Sequence, residues 1–115
     1  MGNIIAALEK VTEGDEDFMK ELSEAFIFNF EEFSETITRA VENRNFTEYR
    51  AIVHKIKPSF LTIEMEDVFQ KVSDFSTNLD QKSEEEIEEF KSWVKKISDE
   101  TIEVLRSVNW VAIVL

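Results

Sequence analysis

Residues 15–43 read DEDFMKELSEAFIFNFEEFSETITRAVEN, and this stretch decides the fold of the chain. Its apolar residues recur three and four positions apart from Phe18 to Ala40, a spacing that places them on one side of an α-helix. Three carboxylates stand at its start, where they meet the positive end of the helix dipole. The stretch therefore predicts a long amphipathic helix that ends near Asn43.

The rest of the chain repeats this pattern three times. Asn45 and Ser83 each have a glutamate three residues later, which is the spacing of a capping box at a helix N-terminus. Helices are predicted from Asn45 to about Ile63, from about Met65 to Leu79 and from Ser83 to about Val108. Short connections make sequential helices antiparallel, so we expect an all-α, up-down-up-down four-helix bundle with a short N-terminal helical segment.

The length of 115 residues suits a single domain with one core. Two glycines and one proline favour long helices over a fold with many tight turns. We expect an N-terminal cap segment at 1–14, the bundle at 15–109 and an apolar tail at 110–115. The tail is expected to pack on the bundle, because monomers rarely expose large apolar patches. The alternatives are a hydrophobic contact for a partner and the start of a truncated element.

Charge and composition restrict the partners. The chain has 25 acidic and 13 basic residues, a net charge of −12, which suits neither nucleic acid nor an acidic membrane surface. It has no cysteine, which excludes disulfides and thiolate metal sites. No apolar run approaches the roughly 20 residues that span a bilayer, and the first residues lack the pattern of a signal peptide. We therefore expect a cytoplasmic protein. We also expect a monomer, because the single exposed patch that is expected would already serve a partner.

His54 is the only histidine in the chain. At 100° per residue it lies about 200° around the helix from both Ile52 and Ile56, and it faces outward if they face the core. From Arg50 to Ile63 there are three basic residues and no acidic one. In so acidic a chain, this reversal suits a site that briefly holds a phosphoryl group.

The chemistry of an imidazole fits such a site. A neutral imidazole is a nucleophile near neutral pH, and Lys57, one turn away, can neutralise phosphoryl oxygens in the transition state. Pro58 deprives the carbonyl of His54 of its helical hydrogen bond. Two compatible interpretations follow: a kink that ends the helix early, and a distortion that shapes the surface around the imidazole.

Residues 51–59 read AIVHKIKPS and resemble the histidine-containing phosphotransfer (HPt) family, whose core pattern is His-x-x-Lys-Gly-Ser. The likeness extends to residues 15–22 and 45–47 and weakens beyond Leu79. Two positions depart from the family pattern, because Pro58 and Glu64 replace glycines. A left-handed Glu64 would cost on the order of 1 kcal/mol, so we expect the turn there to differ.

The resemblance implies a phosphorelay intermediate without autonomous kinase activity. His54 would carry the phosphoryl group, Lys57 would stabilise it and Ser59 would hold a small-residue position close to it. The implied partners are receiver domains of response regulators and a hybrid histidine kinase. The chain itself would bind no cofactor, since the receiver would supply Mg²⁺.

Receivers dock on such bundles through an exposed apolar patch around the histidine. Counting equal numbers of residues from a turn near Arg44 places His54 level with Ser34. Residues 26–30 are apolar almost all round the helix, so Ile27, Phe28 or Phe30 is expected to be partly exposed. The predicted docking residues are Arg50, Lys55, Pro58, Ser59, Leu61, Phe30 and Ser34.

Other functions remain open. A helical adaptor could bind signalling partners through the same face without carrying phosphate. An autonomous kinase is disfavoured, because Gly2 and Gly14 cannot form a phosphate-cradling loop. The acidic residues 13–17 lack the loop of an EF-hand calcium site and better suit the start of a helix.

Overall fold

The computed structural model describes the backbone of residues 3–114 and the side chains of residues 3–108. Five α-helices and one short 3₁₀ turn make up most of this part of the chain, which contains no strand. They are α1 (Ile4–Thr12), α2 (Glu16–Glu42), α3 (Phe46–Thr62), α4 (Glu66–Asp74), the 3₁₀ turn Leu79–Gln81 and α5 (Glu84–Val114). The predicted all-α class is confirmed.

The two longest helices, α2 and α5, pack against each other, α3 packs on α2, and α4 packs on α3. The apolar sides of all five helices meet in one continuous core. At its centre the rings of Phe30, Phe33 and Phe60 meet edge to face, with centroids 5.0 to 6.4 Å apart, a favoured geometry for aromatic pairs. This core fixes which sides of α2 and α3 remain exposed.

Both predicted capping residues stand at helix starts. Ser83 and Glu86 each accept a hydrogen bond from the other's backbone N–H at 3.0 Å. Asn45 accepts a hydrogen bond from the N–H of Glu48. The carboxylate of Glu48 instead binds the guanidinium group of Arg39 on α2 at 2.7 Å, since a charge-assisted bond is stronger than one to a neutral N–H.

The third predicted helix is shorter than expected. α4 ends at Asp74 rather than Leu79. The Ser76 hydroxyl donates a hydrogen bond to the carbonyl of Ser73 at 2.8 Å, and Asn78 has a left-handed backbone, with φ of 57°. A left-handed residue cannot lie inside a right-handed helix, so Leu79 reaches the core from the 3₁₀ turn instead.

The expectation that Glu64 would avoid a left-handed conformation is wrong, because its φ is 58°. The N–H of Met65 donates to the carbonyl of Phe60 at 2.9 Å, and the N–H of Glu64 donates to the carbonyl of Leu61 at 3.1 Å. These two bonds form a Schellman motif. Met65 and Phe60 are buried, and the hydrogen bonds and burial together offset the strain.

The predicted N-terminal segment forms α1, which lies against α2, α3 and α5. Its Ile4 and Leu8 are buried in the common core. The expected packing of the tail at 110–115 falls outside the described side chains. Among the described residues, no helix is both long enough and apolar enough to cross a membrane.

Candidate functional site

His54 lies on the solvent-facing side of α3. Its side chain is exposed, whereas Ile52 and Ile56, two positions to either side, are buried. The core fixes the rotation of α3, so the imidazole is open to a large partner. Other exposed residues on this side of the helix are Arg50, Lys57, Pro58 and Leu61.

A shallow groove of about 260 Å³ lies between α3 and α4 beside His54. We call it the α3/α4 groove. It is lined by Tyr49, Arg50, Val53, His54, Lys57, Phe69, Ser73 and Ser76. None of these residues is a carboxylate, although the chain has 25 acidic residues. Two cations, an imidazole and three hydroxyl groups therefore line a surface suited to an anion.

The cations of this groove are held against aromatic rings. The ammonium nitrogen of Lys57 lies 5.9 Å from the ring centre of Phe69 on α4, and the guanidinium carbon of Arg50 lies 5.7 Å from that of Phe46. Such contacts orient a cation without neutralising its charge. Neither cation forms an ion pair with any described side chain, so both charges remain available to a ligand.

Lys55 differs from these two cations. It is directed towards α2, where its ammonium nitrogen lies 2.6 Å from Oε1 of Glu32. The structure therefore places the predicted docking residue Lys55 beside His54 in sequence but outside the α3/α4 groove, with its charge paired.

Pro58 does not end the His54 helix, which continues four residues further to Thr62. The interpretation that proline terminates α3 early is wrong. Proline has no N–H, so the carbonyl of His54 still lacks its usual helical donor. Pro58 is exposed and lies one turn after His54 on the same side of α3.

Ser59 is buried, with 3% of its surface exposed. Its hydroxyl oxygen accepts a hydrogen bond from the side-chain amide of Asn29 on α2 at 3.3 Å. Ser59 therefore connects α3 to α2, and its predicted place in a docking surface is wrong. The spacing accounts for this result, because Ser59 follows Ile52 by seven residues and shares its inward side.

Phe30 is also wrong as a docking residue, because it is completely buried in the core. The exposed phenylalanine of residues 26–30 is Phe28, with 65% of its surface accessible. Phe28 lies two positions from both Phe26 and Phe30, so burial of those two rings turns it outward.

Ser34 lies on the wrong side of α2 to approach His54. It lines a groove between α2 and α5 together with Lys91 and Lys95. Ser34 does lie near the height of His54 along α2, since Glu32 pairs with Lys55. Counting residues from a turn predicts this height but not the side of the helix, which depends on where α5 packs.

The sequence prediction missed the contribution of α4. Phe69, Ser73 and Ser76 are spaced by four and three residues, which aligns them on one side of the helix and the turn that follows. That spacing was a usable signal. Serine carries no hydropathy signal, however, so the pattern of apolar residues alone did not reveal that this side faces His54.

Comparison of the chain with family models, with curated proteins and with solved structures finds no match in any of the three. Within the described residues, no cluster of three or more histidine, aspartate or glutamate side chains is arranged to hold a metal ion. Function is therefore inferred from the residues around His54.

Proposed function

We propose that this chain is a phosphoryl carrier of the histidine phosphotransfer kind. His54 accepts a phosphoryl group from the aspartate of one receiver domain and passes it to another. The observation that carries this proposal is an exposed imidazole at a groove whose lining holds no carboxylate and whose two cations form no ion pair with a described side chain. The resemblance of residues 51–59 to the HPt pattern supports the same chemistry.

The proposed reaction needs only the imidazole and neighbouring positive charge. The unprotonated ring nitrogen of His54 attacks phosphorus, and a P–N bond forms as the P–O bond to the receiver aspartate breaks. The bonding electrons leave with the aspartate carboxylate, while the proton on the other ring nitrogen stays in place. Lys57 and Arg50 stabilise the charge on the transferring oxygens, and the receiver supplies Mg²⁺.

The proposed architecture is an up-down-up-down arrangement of α2, α3, α4 and α5. Arg39 near the end of α2 pairs with Glu48 near the start of α3. Glu32, earlier in α2, pairs with Lys55, later in α3. The ion pairs between α2 and α5 follow the same reversed order, with Glu42–Lys91 and Glu31–Arg106. This order is expected of antiparallel neighbours.

The proposed docking surface is the exposed side of α3. Leu61 lies seven residues from His54, two turns along the same side, and has 40% of its surface exposed. Pro58 lies between them and Arg50 lies one turn before the imidazole. This strip offers a receiver an apolar contact at one end and a cation at the other.

Phosphoryl acceptance tests the proposal. The chain and a His54→Gln variant are incubated with a labelled phosphoreceiver and Mg²⁺, and acid-labile, base-stable label is sought on the protein. We expect label on the parent chain alone. Since His54 is exposed, the variant should keep its helical circular dichroism, which serves as the folding control.

A panel of receivers makes a negative result decisive. If every receiver that phosphorylates an authentic HPt domain leaves this chain unlabelled, the carrier proposal is wrong. The alternative is then a helical adaptor that binds signalling partners through the same side of α3 without carrying phosphate.

A further inference from the structure

Helix α4 has two sides of opposite character. Asp67 and Asp74, seven residues apart, line a separate groove together with Lys71 and Lys82, and His54 is not part of that lining. Phe69, Ser73 and Ser76 line the α3/α4 groove beside His54. The helix and the turn after it therefore place serine residues in the groove that His54 lines, while Asp67 and Asp74 line a different groove.

The hydroxyl groups of this groove differ in their hydrogen bonds. The Ser76 hydroxyl donates to the carbonyl of Ser73 at 2.8 Å. The Tyr49 hydroxyl is buried and donates to the carbonyl of Val72. The Ser73 hydroxyl has no hydrogen-bond partner among the described residues, although its side chain is half-buried. It is therefore the hydroxyl of the groove whose proton is uncommitted.

We propose that Ser73 is a phosphate-binding residue, and this proposal rests on the proposed role of His54. Its hydroxyl donates a hydrogen bond to an oxygen of the phosphoryl group on His54, from the wall opposite Lys57 and Arg50. Hydrogen bonds from hydroxyl groups to anionic oxygens are short and roughly twice as strong as bonds between neutral groups. Phosphate is thus held by a cation from α3 and a neutral donor from α4.

The neighbouring serine provides a matched control. Ser73→Ala removes an uncommitted donor, whereas Ser76→Ala removes a hydroxyl whose proton is already used inside the turn. Both substitutions delete one oxygen from the same groove wall. A difference between them therefore reports the hydrogen bond and not the loss of a polar side chain.

Transfer from a phosphoreceiver is the first measurement. We expect Ser73→Ala to lower the single-turnover rate about tenfold, the effect of losing one hydrogen bond to a charged group. The rate at which phosphohistidine hydrolyses should also differ between Ser73→Ala and the parent chain, because the phosphoryl oxygens lose a hydrogen-bond partner after transfer. Ser76→Ala should lower the rate of transfer by less than Ser73→Ala does, because the Ser76 hydroxyl proton is already donated to the carbonyl of Ser73. Equal rates in the parent chain and both variants would overturn the role of Ser73, and so would an equal loss in the two variants.

Binding of inorganic phosphate separates this proposal from the proposed function. Phosphate is titrated into the His54→Gln chain, and the amide chemical shifts of Ser73 and Lys57 are followed. We expect phosphate to shift these amide signals, and we expect the shift of Lys57 to disappear in the chain that carries both His54→Gln and Ser73→Ala. If phosphate shifts the amide signal of Ser73 but no receiver labels His54, the carrier proposal fails and the contact between Ser73 and phosphate stands. If His54 is labelled but phosphate leaves Ser73 unaffected and Ser73→Ala transfers normally, the Ser73 proposal alone fails.

Discussion

The ammonium nitrogen of Lys55 lies 2.6 Å from Oε1 of Glu32, so α2 neutralises one of the three cations close to His54 in sequence. Lys57 lies against an aromatic ring and has no such partner among the described side chains. The local excess of positive charge in the sequence therefore reduces to two cations, Lys57 and Arg50, at the α3/α4 groove. The two lysines make a test pair of equal size and charge.

If His54 carries a phosphoryl group as proposed, Lys57→Ala should lower transfer to it by at least about tenfold, because it removes the cation proposed to stabilise the transferring oxygens. Lys55→Ala should change the rate by less than about threefold, because an exposed ion pair contributes little. Single-turnover transfer from a phosphoreceiver measures both. Equal losses in the two variants would mean that general positive charge near the site, and not the position of Lys57, matters.

Leu61→Asp should weaken transfer by raising the receiver concentration needed for half-maximal rate. Leu61 lies on the His54 side of α3, and a carboxylate there would remove an apolar contact and place acid near the site. Phe28→Asp is the control, because Phe28 is more exposed but lies on α2. A loss with Phe28→Asp and none with Leu61→Asp would move the docking surface to α2.

Glu64→Gly should raise the free energy of unfolding by about 1 kcal/mol, because glycine adopts the left-handed conformation without a steric penalty. Urea denaturation measures the change. Arg44→Gly is the contrast: Arg44 is also left-handed, but its guanidinium group donates to the carbonyls of Leu79 and Lys82 at 3.0 and 2.7 Å. That variant should lose stability. A destabilised Glu64→Gly would show that the Glu64 side chain makes a stabilising contribution of its own.

Pro58→Ala should raise the free energy of unfolding by about 1–3 kcal/mol, since alanine restores an N–H opposite the carbonyl of His54. Pro58→Gly restores the same donor but should gain about 1 kcal/mol less, because of the low helix propensity of glycine. Urea denaturation should therefore rank alanine above glycine and glycine above proline. If proline proves the most stable of the three, packing of its ring outweighs the missing hydrogen bond.

Tyr49→Phe should lower the free energy of unfolding by about 1 kcal/mol, because the carbonyl of Val72 loses its donor. Burial raises the pKa of Tyr49 above its ordinary value of 10.0. The folded state then keeps the phenolic proton at pH values where the unfolded chain releases it, so this contribution to stability is lost as pH rises above 10.

The pH dependence is measured by urea denaturation at pH values on either side of that ordinary pKa. Tyr49→Phe should lose less stability with rising pH than the parent chain. Tyr49 is the only tyrosine, so phenolate absorbance in the near ultraviolet reports its ionisation directly. Identical slopes in both chains would mean that Tyr49 does not control the alkaline transition.

Helix positions followed from the sequence because their determinants are local. Apolar spacing and the capping residues Asn45 and Ser83 depend on neighbours within a few positions. α4 was overextended because its end depends on a left-handed Asn78 and a serine hydroxyl bond, neither of which alters hydropathy. The left-handed Glu64 was missed because two hydrogen bonds and the burial of Met65, not its own propensity, fix its conformation.

The sequence predicts only the α3 residues of the candidate site, because their relation to one another is also local. His54, Lys57 and Arg50 share one helix, so their relation follows from 100° per residue. Which side of α2 or α4 faces them depends on how helices pack, and that is set by residues far apart in the chain. The sequence therefore does not predict that Phe30 is buried, that Ser34 faces away from His54 or that α4 lines the α3/α4 groove.

The left-handed turns affect how many substitutions this chain can tolerate. Two glutamates, Glu13 and Glu64, occupy positions where glycine would relieve roughly 1 kcal/mol each, and neither lines the α3/α4 groove. The free energy of unfolding of a domain of this size is only about 5–15 kcal/mol, so the stability that glycine would add at these two positions is a substantial part of it. Glycine at these turns would give the protein mutational tolerance, so that its exposed surface could diversify without loss of folding.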